Sequence, residues 1–308
     1  MNNRIRTKGV ALITVMLVVS LASILAVSMS SRLQLDIHRS MNVFNFEQAY
    51  QYVNGAEEWA KKILQRDLEN NKTDSLKDDW ASVLPPLPIE GGKMSGELSD
   101  LQARFNINNL VVDGKPQKLQ LERFKRLLRI LELNEDIATV IIDWLDSNEE
   151  TSIAGAEDNE YLNLNPAYRT SNQRMVDVSE LLLLKGIDYE SYEKLLPYVC
   201  ALNQGTEINV NTASAEVITS IVNELSLKDA IILVEERNKE PYKKISDFLD
   251  NPLLKQKKIN TEGLSVSSKF FLLTSNVEIM DMNVNYTTII YRESEKNLLM
   301  TSHSRSVL

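Results

Sequence analysis

The densest set of side chains able to do chemistry lies mid-chain, in Asp143-Trp144-Leu145-Asp146-Ser147-Asn148-Glu149-Glu150 and then Gly155-Ala156-Glu157-Asp158-Asn159-Glu160-Tyr161. It is a cluster of oxygen donors with a glycine at a bend and no nitrogen or sulfur ligand. Such donors suit calcium, which takes six to eight oxygens and tolerates irregular loops. Asp146-x-Asn148 can chelate from one turn while Glu157-Asp158 closes the shell from another. The twelve-residue spacing of an EF-hand is absent. A charge-rich loop that is simply solvated is the alternative, and spacing alone leaves both open. A hydrolase could use carboxylates such as Asp143 and Glu157, but no nucleophile–base pair accompanies them. With two histidines, His38 and His303, and one cysteine, Cys200, in 308 residues, a zinc site has almost no ligands and an internal disulfide is excluded.

The elements that must position this loop can be read from periodicity. Leu119 to Leu133 and Glu135 to Leu145 are amphipathic helices leading into it. Before them, Leu98, Leu101, Phe105, Ile107, Leu110 and Val112 alternate imperfectly with polar residues, which predicts a strand and then a turn at Asp113-Gly114. Near the C-terminus, Phe270 to Thr274, Asn276 to Met282, Val284 to Arg292 and Leu298 to Ser302 are short runs rich in β-branched and aromatic residues. Glu293 to Asn297 is the expected hairpin turn. Strands on both sides of a helical block predict an insertion into one sheet-containing head rather than two domains in tandem. The apolar fraction of 43% with 25% charged residues is that of a folded chain.

The N-terminus sets the compartment. Arg4, Arg6 and Lys8 lead into Gly9, and Val10 to Ser31 carries no charge. Those residues as a helix span roughly 33 Å, enough for a hydrocarbon core of about 30 Å. The basic flank keeps the N-terminal end cytoplasmic and sends the bulk of the chain out. A cleaved secretory signal has a shorter apolar region closed by a small-x-small site, so an anchor is the better reading. Met41, Phe44, Gln48, Tyr52, Ala56, Trp59 and Ile63, with Val53, Ala60 and Leu64, continue at helical spacing. One helix of about fifty residues results, half in lipid and half packed on a head. Pro85, Pro86, Pro88 and Gly91-Gly92 mark the loop that ends this unit.

Lys8-Gly9-Val10-Ala11-Leu12-Ile13-Thr14-Val15 resembles a type IV prepilin leader. The resemblance implies that prepilin peptidase cuts between Gly9 and Val10 and that the new amine of Val10 is methylated. Most members of that family carry glutamate where Thr14 stands. A carboxylate in lipid is costly and is kept for a partner such as a neighbour's terminal amine. Thr14 cannot serve that way, which points to a special position, most simply the end of a filament.

The runs LQARFNINNL, DWLDSNEE, GAEDNEYL, NPAYRTSNQ and DVSELLLLKGI together resemble the K-type minor pseudopilins of the type II secretion system. The likeness implies an α+β, pilin-like fold: a long transmembrane and stem helix packed on an antiparallel sheet, with a large inserted all-helical domain that binds calcium. By position it assigns Asp146, Asn148, Glu157 and Asp158 as ligands, with Asp143 and Asn172 behind them. Asn148 stands where the family often has an acid, leaving one negative charge fewer. The implied role is a non-catalytic tip subunit that primes the pseudopilus for export of folded proteins across the outer membrane. Its partners would be the I-type and J-type minor pseudopilins. The expected division is leader 1–9, transmembrane helix 10–31, stem 32–68, head 69–114 and 263–308, and insert 115–262. Within the insert lie an acidic loop at 143–177 and helix-hairpin-helix-like units at 177–200 and 208–250.

Ile208 to Leu249 also resembles the helix-hairpin-helix repeat of DNA-uptake receptors, with Thr212 or Ser214 as cap and Asp177 to Ile187 as a weaker first copy. In DNA-binding versions a glycine-rich hairpin offers backbone N–H groups to phosphate. Here Asn223-Glu224-Leu225-Ser226-Leu227 occupies the bend without glycine. With a net charge of −9, nucleic acid is not expected as a partner.

Overall fold

The computed structural model describes residues 6–83, 85–280, 282–294 and 297–307. Arg4, and with it the start of the basic flank, lies outside the described residues. The first element, α1 (Arg6–Asn70), is a single helix of 65 residues. Every side chain from Val10 to Ser31 is exposed. An apolar surface of that extent is stable against lipid rather than water. The helix is longer than the fifty residues expected because its far end is pinned: Asn71 donates to the Asp67 carbonyl (2.7 Å) and, through its side chain, to the Asp67 carboxylate (3.1 Å).

Ala49, Val53, Ala56, Ala60 and Leu64 recur every three or four residues and are buried against a five-stranded antiparallel sheet. The alanines let the helix axis lie close to the sheet. The strands are β1 (Leu87–Ile89), β2 (Gly92–Asp100), β3 (Phe270–Ile279), β4 (Met282–Ser294) and β5 (Asn297–Val307), in that spatial order. Leu98, Phe271, Leu273 and Ile290 meet Ala56, Ala60 and Leu64, while Val277, Ile279, Val284 and Tyr286 meet Ala49 and Val53. The single stripe expected on the stem is in fact two faces, for Met41 and Phe44 are 52% and 67% exposed on the far side.

Several strand expectations are corrected. The run Phe270 to Thr274 and the run from Asn276 as far as Ile279 are one strand, β3, because Ser275 is itself buried in the sheet and pairs with Tyr286, while Met282 already begins β4. The last strand continues past Ser302 to Val307. Ser294 pairs with Asn297, and Glu295-Lys296 of the expected turn lie outside the described residues. The strand expected over Leu98 to Val112 stops at Asp100. There the Asp100 carboxylate accepts from the Gln102 N–H (2.8 Å), and Asn106 repeats the device on Asn108 (3.2 Å), each turning the chain into a short 3₁₀ turn. Phe105, Ile107 and Leu110 therefore join the core of the helical block instead of the sheet. The turn at Asp113-Gly114 is present, both residues having positive φ (51° and 70°), and closes a small hairpin.

Strands β2 and β3 are neighbours, with Asp100 opposite Phe271, so residues 101–269 leave and return at one end of the sheet. This block contains α2 (Lys118–Ile130), α3 (Ile137–Leu145), α4 (Asp158–Tyr161), α5 (Tyr189–Leu195), α6 (Ala215–Ile221), α7 (Leu227–Lys239) and α8 (Ile245–Leu249) around one core. Ser214, not Thr212, caps α6, accepting from Val217 (3.3 Å). Within Asp177 to Ile187 the helix is of 3₁₀ type, over Val178–Leu183, and Gly186 with φ 78° leads on to α5.

The junction of stem, sheet and block is polar. Arg292 of β4, 3% exposed, donates to both oxygens of Asp74 (2.6 Å each), to Asp67 of α1 (3.3 Å) and to the Ser268 carbonyl (2.7 Å). Ser268 passes the network on: its N–H reaches Asp74 (2.7 Å) and its hydroxyl reaches Asp100 (2.6 Å). Thr212 and Asn209 of the block donate to the same Asp100 carboxylate (2.5 and 3.2 Å). Burial raises Asp67 and Asp74 above the ordinary carboxylate range, and Arg292 pulls Asp74 back. Replacing Arg292 by Ala strands two buried carboxylates and should cost about 3–5 kcal/mol of stability. Carboxylates with raised folded-state pKa take up protons on folding, so the loss should shrink as pH falls from 8 toward 5. Urea melts of the variant at several pH values measure both.

Candidate functional site

The acidic loop hangs from the C-terminal end of α3. Asp143 lies in the last turn and Asp146 is the C-cap, and no basic residue occupies that turn. The negative end of the helix dipole therefore adds to two carboxylates that are themselves buried, at 0% and 3% exposure. Protonation, hydrogen-bond donors or a cation would each relieve such a place; burial raises Asp146 above the ordinary carboxylate range.

Two further segments close over Asp143. The Ser152 N–H donates to Asp143 Oδ2 (3.0 Å), and the bend continues through Ala154 at φ 66° into Gly155. A Cβ added at Gly155 would sit 1.9 Å from Asp143 Oδ2, so only glycine lets the loop approach the carboxylate this closely. From the other side, Asn172 with φ 48° donates its N–H to the Trp144 carbonyl (3.0 Å), which holds its side chain beside the end of α3. Below the loop, Trp144 packs edge-on to Tyr161 at 5.5 Å and Tyr161 stacks on Tyr168 at 5.3 Å. That aromatic floor keeps water out, and burial pushes the Tyr161 hydroxyl up to about 12.

The polar accounting is unusual. Among the described residues, Asp143 Oδ1, both carboxylate oxygens of Glu157 and Asn172 Oδ1 are buried without a hydrogen-bond partner. The nearby Thr170 hydroxyl has given its hydrogen to Asp158 (2.9 Å). Glu157 is 2% exposed, and burial first, then the charges of Asp143, Asp146 and Asp158, push it up to about 7. Orphaned buried acceptors cost stability unless something positive meets them. Four such oxygens on three segments are of the type a hard cation takes, but among the described residues the acidic group whose oxygens lie within 4.8 Å of one another is a different one.

The residues named from sequence differ in their present hydrogen bonding. Asp146 and Glu157 fit. Asn148 is exposed and its side-chain oxygen accepts from Glu150 (2.7 Å), while Asp158 is taken by Thr170 and by Arg169 (3.2 Å). Asp143 and Asn172, placed last by sequence, carry the free oxygens. Their signal, a glycine and a left-handed residue folding back on a helix end, needs the loop's path to be visible. A second acidic group, Asp67, Asp74 and Asp78, has oxygens within 4.8 Å of one another, but Arg292 already occupies it.

In the N-terminal helix, the Thr14 hydroxyl donates to the carbonyls of Val10 (3.1 Å) and Ala11 (2.9 Å), so it is satisfied within its own helix. Glu224, on the bend between α6 and α7, takes φ 59°, the conformation a glycine hairpin would use. Cys200 is buried, and burial lifts its thiol to about 12, which makes it unreactive.

Two family models, both described as type II secretion system protein K, match residues 103–204 and 208–267. The chain belongs to the type II secretion system protein K family. It is 36% identical to the type II secretion system protein K of Pseudomonas aeruginosa, over 89% of this chain and 85% of that one. The relative from Klebsiella pneumoniae is 31% identical over 94% of this chain and 93% of its own length. A solved chain of the GspK-GspI-GspJ complex from the enterotoxigenic Escherichia coli type 2 secretion system matches with a TM-score of 0.79. That match has 27% identity and covers 87% of this chain and 99% of the other. The family's two matched segments fall within residues 101–269, the block that carries the acidic loop.

Gly155 gives a direct test of the loop's closeness to Asp143. Gly155→Val should lower stability by about 1–3 kcal/mol through overpacking against the carboxylate. The same change at Gly55, where nothing lies within 4 Å, should not. Thermal melts of the two variants side by side decide the point.

Proposed function

We propose that this chain is a minor pseudopilin, a non-catalytic subunit at the tip of the type II secretion pseudopilus that primes assembly and contributes to export of folded proteins across the outer membrane. The observation that carries this reading is α1: exposed and apolar through Val10 to Ser31, then continuous into a face buried on an antiparallel sheet. Such a subunit stays rooted in the inner membrane by the helix that also organises its head. The N-terminus would face the cytoplasm and the rest the periplasm. The relative's presence in a GspK-GspI-GspJ complex supports I-type and J-type minor pseudopilins as partners. With Thr14 closed on its own backbone, no carboxylate is offered there to a neighbour's amine, which suits the end of a filament.

The fold is read as pilin-like. Its head is formed by residues 71–100 and 270–307, and the insert covers 101–269, wider than the 115–262 expected from sequence. The helices α6 to α8 are taken as helix-hairpin-helix-like packing units. A DNA-binding role is not favoured, since Glu224 would repel phosphate at the bend.

Prepilin peptidase would cut between Gly9 and Val10, leaving Val10 methylated. Mass spectrometry of the protein isolated from cells should find an N-terminal peptide starting at methylated Val10. A chain still beginning at Met1, or lacking the apolar segment, would overturn the assignment.

Calcium is the ion proposed for the acidic loop, held by Asp143, Asp146, Glu157 and Asn172 and pinning three segments of the insert together. Millimolar calcium should raise the melting temperature and a chelator should lower it. Asp143→Asn should abolish that calcium-dependent shift. In chelator alone it should melt no lower than wild type, because it removes an unpaired buried charge.

A further inference from the structure

The helical block is built twice from one plan. Phe105-Asn106 pairs in parallel with Val199-Cys200, and Ile208-Asn209 pairs in parallel with Leu264-Ser265. Asn108 clamps both backbone groups of Met175 (2.9 Å each), and Asn211 clamps those of Tyr242 in the same way (2.9 Å each). Glu180 then accepts the N–H groups of Val176 and Asp177, as Asp247 accepts those of Lys243 and Lys244. The bends before α3 and α7 both turn on a glutamate with positive φ, Glu132 (57°) and Glu224 (59°). Counted on from those two residues, Ala138 matches Ala230 and Ile141 matches Leu233, all of them buried.

Each copy thus shows what the plan requires of the other. Further along the same helices, Leu145 of α3 matches Arg237 of α7, and both are buried, at 5% and 3% exposure. Tyr242 stands where the first copy has Met175. Leucine and methionine satisfy the packing, and the second copy replaces them with hydrogen-bond donors. Among the described residues Arg237 gives one hydrogen bond, to the Val210 carbonyl, and its Nε–H is buried without an acceptor. The Tyr242 hydroxyl is also buried without a partner, and the neighbouring Asn251 is spent on Glu236 (2.9 Å) and on the Leu253 N–H (3.0 Å). An unpaired buried guanidinium lowers stability, so the fold alone does not account for it. Burial brings Arg237 down to about 10, which leaves it charged at neutral pH.

Arg237 and Tyr242 line one cleft of about 560 Å³, the size of a small-ligand site. Only residues 238–241 separate the two, whereas 146–174 separate Leu145 from Met175, so the second copy lacks the long loop of the first. Three basic and three acidic residues line the cleft, with Glu236 and Asp247 already engaged. That balance suits one negative charge; a doubly charged phosphate would be repelled by Glu236, Glu240 and Asp247.

We propose that this cleft binds a single carboxylate, presented by a polypeptide as an acidic side chain or as its free C-terminus, with Arg237 and the Tyr242 hydroxyl as donors. The site is separate from the acidic loop and does not rest on the pseudopilin reading.

The test uses the full-length chain in detergent with isotope-labelled arginine and follows the Arg237 Nε–H resonance, identified by its absence from Arg237→Lys. The probes are acetate, inorganic phosphate, a blocked peptide with one aspartate, and an acetylated alanine peptide with a free C-terminus. One of the peptides should shift the resonance saturably, and the tighter of the two names the source of the carboxylate. Tyr242→Phe should weaken that peptide by about fivefold or more. Arg237→Leu, which copies the residue of the first unit, should melt no lower than wild type. A large loss of stability in Arg237→Leu would make the guanidinium a structural group and overturn the proposal. So would no shift with either peptide, phosphate binding as tightly as the peptides, or equal affinity in Tyr242→Phe, a variant that keeps the guanidinium in place.

Discussion

One guanidinium holds three parts of the molecule in register. Arg292 leaves the sheet, meets Asp67 at the end of the stem and Asp74 just after it, and shares Ser268 with Asp100. Asp100 in turn is where the chain departs into the helical block, and Thr212 and Asn209 of that block return to it. Because every member is buried, none can exchange its partner for water. The stem cannot tilt on the sheet, nor the block swing on its two connections, without breaking charge-assisted hydrogen bonds in a dry place. Apolar contacts supply most of the driving force on either side of the junction, but they are non-directional. The polar network is what fixes direction.

The two acidic clusters show how context decides what carboxylates do. Asp67, Asp74 and Asp78 have the shorter mutual distances, yet a basic side chain has filled their centre. Asp143 and Glu157 are equally dry, Asp143 lies at the negative end of α3, and both have oxygens without a hydrogen-bond donor. Burial without compensation marks a place completed by something the chain does not carry. The first cluster ties the fold together; the second keeps its oxygens unpaired. Gly155 and the aromatic floor of Trp144, Tyr161 and Tyr168 shape the loop around that need.

The stem helix likewise has two uses. Its alanine-rich face is spent on the sheet, where small side chains bring helix and strands close. Its other face carries larger apolar groups into water, together with a glycine no internal contact calls for. A chain that functioned alone would gain by making that face polar. One 65-residue element thus carries an alanine-rich face buried on the sheet and a separate exposed apolar face.

The long apolar N-terminal helix, the helices before the acidic loop, the Asp113-Gly114 turn and the strand-rich C-terminus were legible from sequence, because each depends on periodicity or turn chemistry within a few residues. The family likeness was legible for the same reason, resting on contiguous motifs. Tertiary structure alone decided the rest. Asp100 ends its strand because Gln102, Asn209, Thr212 and Ser268 converge on it, and Arg292 finds Asp67 and Asp74 more than two hundred residues away. Asp143 and Asn172 keep oxygens without a donor, whereas Asn148 and Asp158 accept from Glu150, Thr170 and Arg169. Spacing reveals which groups can reach a site; only packing reveals which of them are still free when they arrive.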